Sequence, residues 1–398
     1  MIFKQRSISE NIVFIAALGL LAGIVLSWPL WNVAARCCFP TLPLWGGSPQ
    51  APHLSHWSES AWVAGLALLL IGPFVFSGKK ILPGLLAVWL AWLCLLDLNR
   101  LQPWVWMYLL IFAAAIWEKK DDEASNTNLM RWLLAGIYFW SGINKLTPYF
   151  ANDTFAWFCE TFGLTRSLGQ YPIFGYALGL LEASFAAGLL WHKTRPYFRW
   201  LVLGFHCLVV VFLLKQNWNW VVIPWNLAMA SMVWVLSSTA PVSGTTANVS
   251  RRFLPIPHSL REAPKAAWLI LLLVWLAPAL GLFRCWPHTL SWQLYTNTQP
   301  EATFFAESGK VNATAESFWV WEKYAYDDGT KLFFDDWAND ELKVPMFATR
   351  HTFRQLGRYL CRCASEPEQA SLFILHVRPW HPSAEKMEEI PCRQLNPN

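Results

Sequence analysis

Along residues 1–286 the apolar positions run together in long blocks instead of alternating with polar ones. Nine blocks stand out, at about 11–31, 57–77, 81–97, 101–117, 129–146, 171–191, 198–214, 219–236 and 266–286. A hydrocarbon layer about 30 Å thick needs roughly 20 apolar residues per helical crossing, so each block predicts a membrane-spanning helix. The third and fourth are joined only by the Asn99–Pro103 turn and are expected to be tilted or partly re-entrant. The first is too long and too poorly flanked for a cleaved signal peptide, and no lipobox precedes Cys37 or Cys38, so it reads as an uncleaved anchor.

Beyond residue 287 the pattern changes. Phe318–Tyr326 and Lys331–Phe334 flank Asp327-Asp328-Gly329, which predicts a β-hairpin. A helix is expected over 350–364 and a buried strand over Ser371–Arg378. On that helix Phe353, Leu356, Leu360 and Cys363 share an apolar face, and Cys361 points elsewhere. Those two cysteines should therefore not pair with each other, while a bridge from either to Cys392 stays open. Residues 238–265 are rich in Ser, Thr and Pro and read as a cytoplasmic loop. The fold class is an α-helical polytopic membrane protein of about nine transmembrane helices (1–286) with a small C-terminal extracytoplasmic α+β domain (287–398).

Composition supports this. Hydrophobic residues make up 55% and charged residues 14%, against about 25% charged in ordinary soluble domains. Disorder, a coiled coil and a compact soluble enzyme are all disfavoured. The 27 tryptophans suit rings held at lipid headgroup level.

The net charge of +5 sums two unlike halves. Residues 1–286 carry 20 basic and 11 acidic side chains, net +9, and residues 287–398 carry 11 and 15, net −4. No basic patch points to nucleic acid. With the N-terminus in the cytoplasm, one set of loops holds 14 Lys and Arg and the other holds only Arg36, Arg100, Arg166 and Lys215. The positive-inside rule then places the chain in a bacterial inner membrane with its C-terminal domain in the periplasm. There Cys361, Cys363 and Cys392 would meet oxidising conditions, while Cys94, Cys159 and Cys207 read as small apolar fillers.

No P-loop, paired CxxC, HExxH or GxSxG motif occurs, so metal and serine-hydrolase chemistry have no motif to support them. The chemistry-bearing residues are the polar ones inside the spans, where an ionisable group costs about 2.5–3.5 kcal/mol. Asp97, Arg100, Lys145, Glu182 and His206 stand out, accompanied by Asn99, Asn144 and Asn226. Glu182 lies roughly 16 Å into the sixth span at about 1.5 Å per residue. These depths allow one polar cavity reaching from the outer face toward the midplane. Plainer readings stand beside it. Asp97 and Arg100 can neutralise each other on one helix, Lys145 can snorkel to headgroups, and Glu182 with His206 can be a packing pair.

The stretch Ile137-Tyr-Phe-Trp-Ser-Gly-Ile-Asn-Lys-Leu146 resembles the horizontally transferred transmembrane domain family. That family includes vitamin K-dependent gamma-carboxylases and is distantly similar to DoxX-like proteins. Ser141, Gly142, Lys145 and Leu146 carry the resemblance. It continues through Gly179–Leu190, Gly204-Phe-His-Cys207, Ser291-Trp292, Val344-Pro345-Met346-Phe347 and the Arg350–Cys361 helix, with the family-like membrane core at about 60–286.

The resemblance implies Lys145 as a base toward a reduced quinone, with Arg100 as an anion clamp and Asp97, Glu182 and His206 as further catalytic groups. Asn99, Trp140, Asn144 and Asn226 are then the candidates to line the cofactor site. It implies the bilayer, a lipid-soluble redox cofactor and an exported polypeptide substrate as partners. Two departures count against glutamate carboxylation itself. Asn144 stands where the carboxylases have a second lysine, and Asp97-Leu-Asn-Arg100 ends in arginine where they have histidine. Arginine cannot shuttle a proton near neutral pH, though it can hold a carboxylate or anionic headgroup. The expectation is a membrane-embedded quinone- or lipid-dependent redox or modifying enzyme. The alternative is a non-enzymatic module that binds a lipid, peptide or partner protein through the cavity and outer domain.

Overall fold

Each of the nine apolar blocks carries helix in the computed structural model, which describes residues 6–46, 56–76, 81–117, 123–238, 265–306, 323–326, 330–364, 366–380 and 385–395. Five helical stretches are long and apolar enough to cross a membrane: Ile8–Leu26, Pro172–Leu190, Arg195–Gln216, Trp220–Ser237 and Lys265–Leu282. Ser60–Val75, Ile81–Leu96 and Pro103–Ile116 are apolar but shorter. Glu123–Ile143 has 21 residues and a polar first two turns. The chain is thus a largely helical polytopic membrane protein with a small C-terminal sheet.

In chain order the helices are α1 (Ile8–Leu26), the single turn α2 (Trp28–Trp31), α3 (His56–Val75), α4 (Ile81–Leu96), α5 (Pro103–Ile116), α6 (Glu123–Ile143), α7 (Phe155–Thr161), α8 (Pro172–Leu190), α9 (Arg195–Gln216), α10 (Ile223–Ser237), α11 (Lys265–Trp275) and α12 (Ala277–Leu282). Local signals set their ends. Ser7 and Glu10 form a capping box at the start of α1. Proline occupies the first turn of α5, α8, α9 and α10, where its missing N–H is no loss. Asn217 closes α9 in the left-handed region at φ 49°. The turn between α4 and α5 is a 3₁₀ turn over Leu98–Arg100.

The C-terminal unit is an antiparallel sheet of order β2-β3-β1-β4-β5. Its strands are β1 (Glu301–Phe305), β2 (Ala325–Tyr326), β3 (Lys331–Phe333), β4 (Ser371–His376) and β5 (Lys386–Pro391). It also carries helices α13 (Phe334–Leu342), α14 (Arg350–Cys363) and the turn α15 (Cys392–Leu395). The expected hairpin is present as β2 paired with β3, Ala325 opposite Leu332. Its turn residues Asp327, Asp328 and Gly329 lie outside the described residues, as does the 239–264 loop. Phe334, expected to end a strand, instead begins α13. β1 pairs with both β3 and β4 at the centre of the sheet, and β5 forms an edge whose lysine and glutamates discourage further pairing. The helix at 350–364 appears as α14, capped by Thr349 and Thr352. Cys361 is bridged to Cys392, which ties α14 to α15.

A buried ionic cluster joins the two parts. Arg36 and Asp97, both fully buried, form an ion pair at 2.7 Å. Arg36 also donates to the carbonyls of Pro29 and Leu30. Asp97 accepts from the backbone N–H of Leu42 and from both the N–H and the side-chain amide of Asn99. Arg100 donates to the carbonyls of Leu30, Trp31 and Leu93. The C-terminal unit sits on this cluster. Phe347 N–H donates to Asn99 Oδ1, Gln102 Nε2 to Pro345 O, and Gln355 Nε2 to Pro43 O. Phe39 packs on Trp337 with ring centroids 4.7 Å apart.

Two predictions follow from these contacts. Removing one partner of a buried ion pair costs about 3–5 kcal/mol, because the other charge is left uncompensated. Asp97→Asn should therefore lower the melting temperature of the detergent-solubilised protein sharply, whereas Lys386→Gln, at an exposed position on the edge strand β5, should leave it within error. Asp335 supplies the second. Burial first, and then the negative charge of Glu301, push its carboxyl up to about 7, against the partial relief of the Met346 N–H bond. A carboxyl raised in the folded state favours folding at low pH, and that contribution is lost as pH rises from about 4 through about 7. Melting curves across this window should show declining stability in the wild type and a flatter profile in Asp335→Asn.

Candidate functional site

The polar groups of the helical unit converge where α6 crosses α8. The crossing is close because both helices present glycine. A Cβ on Gly142 would lie 2.3 Å from Ala183 N and 2.5 Å from Gly179 O, so a side chain there would push the backbones apart. The approach brings Lys145 of the α6 C-terminal turn against Glu182 of α8. Their ion pair measures 2.8 Å, with both side chains buried. Lys145 Nζ also donates to Ser141 O at 3.2 Å and to Ser141 Oγ at 3.0 Å. Two of the three ammonium protons thus go to Ser141, and the Glu182 carboxylate neutralises the charge. Glu182 Oε2, by contrast, takes the ion pair without receiving a well-aligned hydrogen bond.

One helical face carries the next part. Tyr138, Ser141 and Lys145 stand three and four residues apart and so align along α6. Tyr138 Oη lies 2.7 Å from His206 Nε2, and His206 Nδ1 lies 2.8 Å from Asn226 Oδ1. Asn226 donates its amide to Val222 O, which fixes the Asn226 oxygen toward the ring. His206 Nδ1 must then carry a proton, and in the neutral ring Nε2 accepts from the Tyr138 hydroxyl. Tyrosine, histidine and asparagine thus form one directed chain from α6 through α9 to α10.

Both groups open on the same cavity, of about 100 Å³, lined by Tyr138, Ser141, Lys145, Glu182, His206 and Asn226 among mostly aromatic and aliphatic neighbours such as Phe150, Phe205 and Phe212. A larger hollow of about 430 Å³ shares Thr154, Trp157, Trp225, Leu294 and Tyr295 with it and continues toward the C-terminal unit. The wall of that hollow includes polar Gln102, Asn219, His288 and Gln293. Burial pushes the His288 imidazole down to about 3, so it stays neutral at any ordinary pH.

Of the nine residues singled out in the sequence, Lys145, Glu182, His206 and Asn226 line the cavity. Asp97, Asn99 and Arg100 belong to the junction with the C-terminal unit. Asn144 tethers the outgoing chain through Ser291 O, and Trp140 donates to Trp275 O on the far side of α6. The single cavity expected for all five ionisable groups is therefore two separate clusters, because Asp97 finds its partner in Arg36. Sequence reasoning missed Tyr138 and Ser141, although their spacing from Lys145 placed them on the same helical face. It also missed Arg36 and Glu341, whose partners lie far along the chain.

Residues 124–224, about a quarter of the chain, match the family model of methylamine utilisation protein MauE. The match covers α6 through α9 and hence most of the cavity wall. No curated protein and no solved structure matches the chain. The match overturns the resemblance to the horizontally transferred transmembrane domain family, and with it the carboxylase and DoxX likenesses, since MauE is a different family. The misleading pattern has a physical cause. Gly142 serves a close helix crossing and Lys145 its ion pair with Glu182, so both positions are accounted for by packing and pairing within this chain. The helices that enclose the buried Lys145–Glu182 pair are thus similar to those of MauE, a family of membrane proteins.

Proposed function

We propose that the helical unit binds a lipid-soluble molecule whose polar head lies beside Lys145, Glu182 and His206. The observation that carries this reading is the Glu182 carboxylate, 5% exposed, which lines a mostly apolar cavity and meets only Lys145 among the described residues, in an ion pair through Oε2. Each ionisable group in a span costs a few kcal/mol, and a bound donor would offset part of that cost. The head is therefore a hydrogen-bond donor such as a hydroxyl. About 100 Å³ suits a small head group only, since drug-sized ligands take about 300–1,000 Å³, so the apolar remainder lies in the lipid. Leu208 supports a lateral route. It lines the cavity and is 42% exposed on the outer face of α9, the least buried of the five candidate spans.

Lys145 in this reading holds Glu182 in place through their ion pair, with its ammonium anchored by two hydrogen bonds to Ser141. Nothing among the described residues argues for carboxylation or for quinone chemistry. A modifying enzyme at the same site is the second reading, favoured by the Tyr138–His206–Asn226 chain, which can exchange a proton with a bound head. We place the N-terminus in the cytoplasm and the C-terminal unit outside. The charge asymmetry of the loops and the Cys361–Cys392 bridge both support that orientation.

The test is photolabelling in proteoliposomes with a diazirine-bearing long-chain alcohol, followed by peptide mapping. Label should concentrate on 198–212 and 178–185, and excess unlabelled alcohol should remove it. Leu178→Trp, which fills the cavity, should reduce labelling at least ten-fold, and Glu182→Gln should weaken competition. Labelling spread evenly over the lipid-facing helices, or undiminished in Leu178→Trp, would overturn the proposal. Chemical change of the alcohol during incubation would move the conclusion to the enzymatic reading.

A further inference from the structure

A second cluster lies at the junction, away from the cavity. The Sγ atoms of Cys37 and Cys38 are 3.3 Å apart, and one donor atom from each of Cys37, Cys38 and Glu341 falls within 4.8 Å of the others. We infer that these three residues form a binding site for a thiophilic divalent cation of the zinc type.

The donor set selects the ion. Two sulfurs exclude calcium and magnesium, which take oxygen ligands, and a carboxylate oxygen beside them suits zinc better than a purely sulfur-seeking ion. Two zinc–sulfur bonds of about 2.3 Å set tetrahedrally hold their sulfurs about 3.8 Å apart. The thiols need to part by only about half an ångström. The carboxylate is already held by hydrogen bonds, as metal-binding carboxylates are. Trp337 Nε1–H donates to Glu341 Oε1 at 2.8 Å, and the N–H groups of Cys38 and Phe39 donate to Oε2 at 2.9 and 2.8 Å. Oε1 keeps a second lone pair for an ion.

The surroundings agree with this assignment. Arg36, next in the chain, directs its guanidinium to Asp97 and the Pro29 and Leu30 carbonyls, so its charge is already matched elsewhere. Cys37 is exposed and Cys38 buried, which gives the site one open side. Three protein ligands leave a fourth position for water or an incoming group. A disulfide between the two is the competing fate. Adjacent Cα atoms sit about 3.8 Å apart, short of the roughly 4.4–6.8 Å that disulfides span, so the pair is better placed to chelate than to bridge. An ion here would fasten the segment after α2 to α13, about 300 positions away in the chain.

The test uses the full-length protein in detergent and Zn²⁺ alone. Competition against a chromophoric chelator should give one zinc per chain, and Zn²⁺ should raise the melting temperature. Cys37→Ser should weaken zinc at least ten-fold and abolish the thermal shift, with the metal-free melting temperature unchanged because the side chain is on the surface. Zn²⁺ should also protect Cys37 from iodoacetamide while leaving exposed Cys285 reactive. Absence of stoichiometric zinc, equal affinity in Cys37→Ser, equal alkylation of Cys37 with and without Zn²⁺, or a Cys37–Cys38 disulfide found by mass spectrometry in freshly purified protein would each overturn the assignment.

Discussion

The buried ion pair between Arg36 and Asp97 is the constraint on which the rest of the junction depends. Removing two charges from water costs several kcal/mol per ion, and their attraction compensates only when the remaining donors and acceptors are met. Here they are met by groups that would otherwise be loose ends. Arg36 takes the carbonyls at the end of α2, and Asp97 takes the N–H groups of Leu42 and Asn99. The pair therefore does more than neutralise itself: it fixes the segment 36–42 against the end of α4. Every polar tie to the C-terminal unit from this region then starts from a fixed backbone, whether Cys38 and Phe39 to Glu341, Pro43 to Gln355, or Asn99 to Phe347.

The cavity follows a different logic. Its polar groups come from four neighbouring helices, and what brings them together is close packing at Gly142 and Gly179. The two clusters thus divide the costly charges of the membrane region by role. Arg36 and Asp97 satisfy each other and nearby backbone, and Arg100 satisfies backbone carbonyls. Lys145 and Glu182 satisfy each other only in part and face open space. An incompletely satisfied buried carboxylate is what separates a site from a strut.

The helices were legible because a block of apolar residues needs no partner to identify it, and all nine blocks carry helix. β4 and α14 were legible for the same reason, from a short apolar run and an amphipathic repeat. β1 and β5 were not. β1 is only five residues long, and β5, Lys386-Met-Glu-Glu-Ile-Pro391, carries the charges of an edge strand, which read as loop. Pairing was the weakest inference throughout. Asp97 had an obvious local partner in Arg100, three residues on, yet it pairs with Arg36, 61 positions away, because the 3₁₀ turn at Leu98–Arg100 removes the helical geometry that the local pair requires. The Cys37–Cys38–Glu341 cluster was invisible to motif search because its third member is about 300 residues distant.

The family likeness failed for a related reason. Gly142 and Lys145 are fixed by the α6–α8 crossing, so their presence reports a packing solution before it reports a chemistry. The segment 124–224 matches MauE over the same helices, and the same restraint applies to it: the match identifies a kind of helical scaffold. Chemistry has to come from what the scaffold leaves unsatisfied. In this protein the candidate is the Glu182 carboxylate, paired with Lys145 in the wall of a mostly apolar cavity that also holds a histidine whose proton is positioned by Asn226 and whose second nitrogen is occupied by Tyr138. A ligand that donates to Glu182 completes the arrangement without disturbing either pair, whereas a ligand that needs Lys145 as a free base must first break an ion pair and two hydrogen bonds.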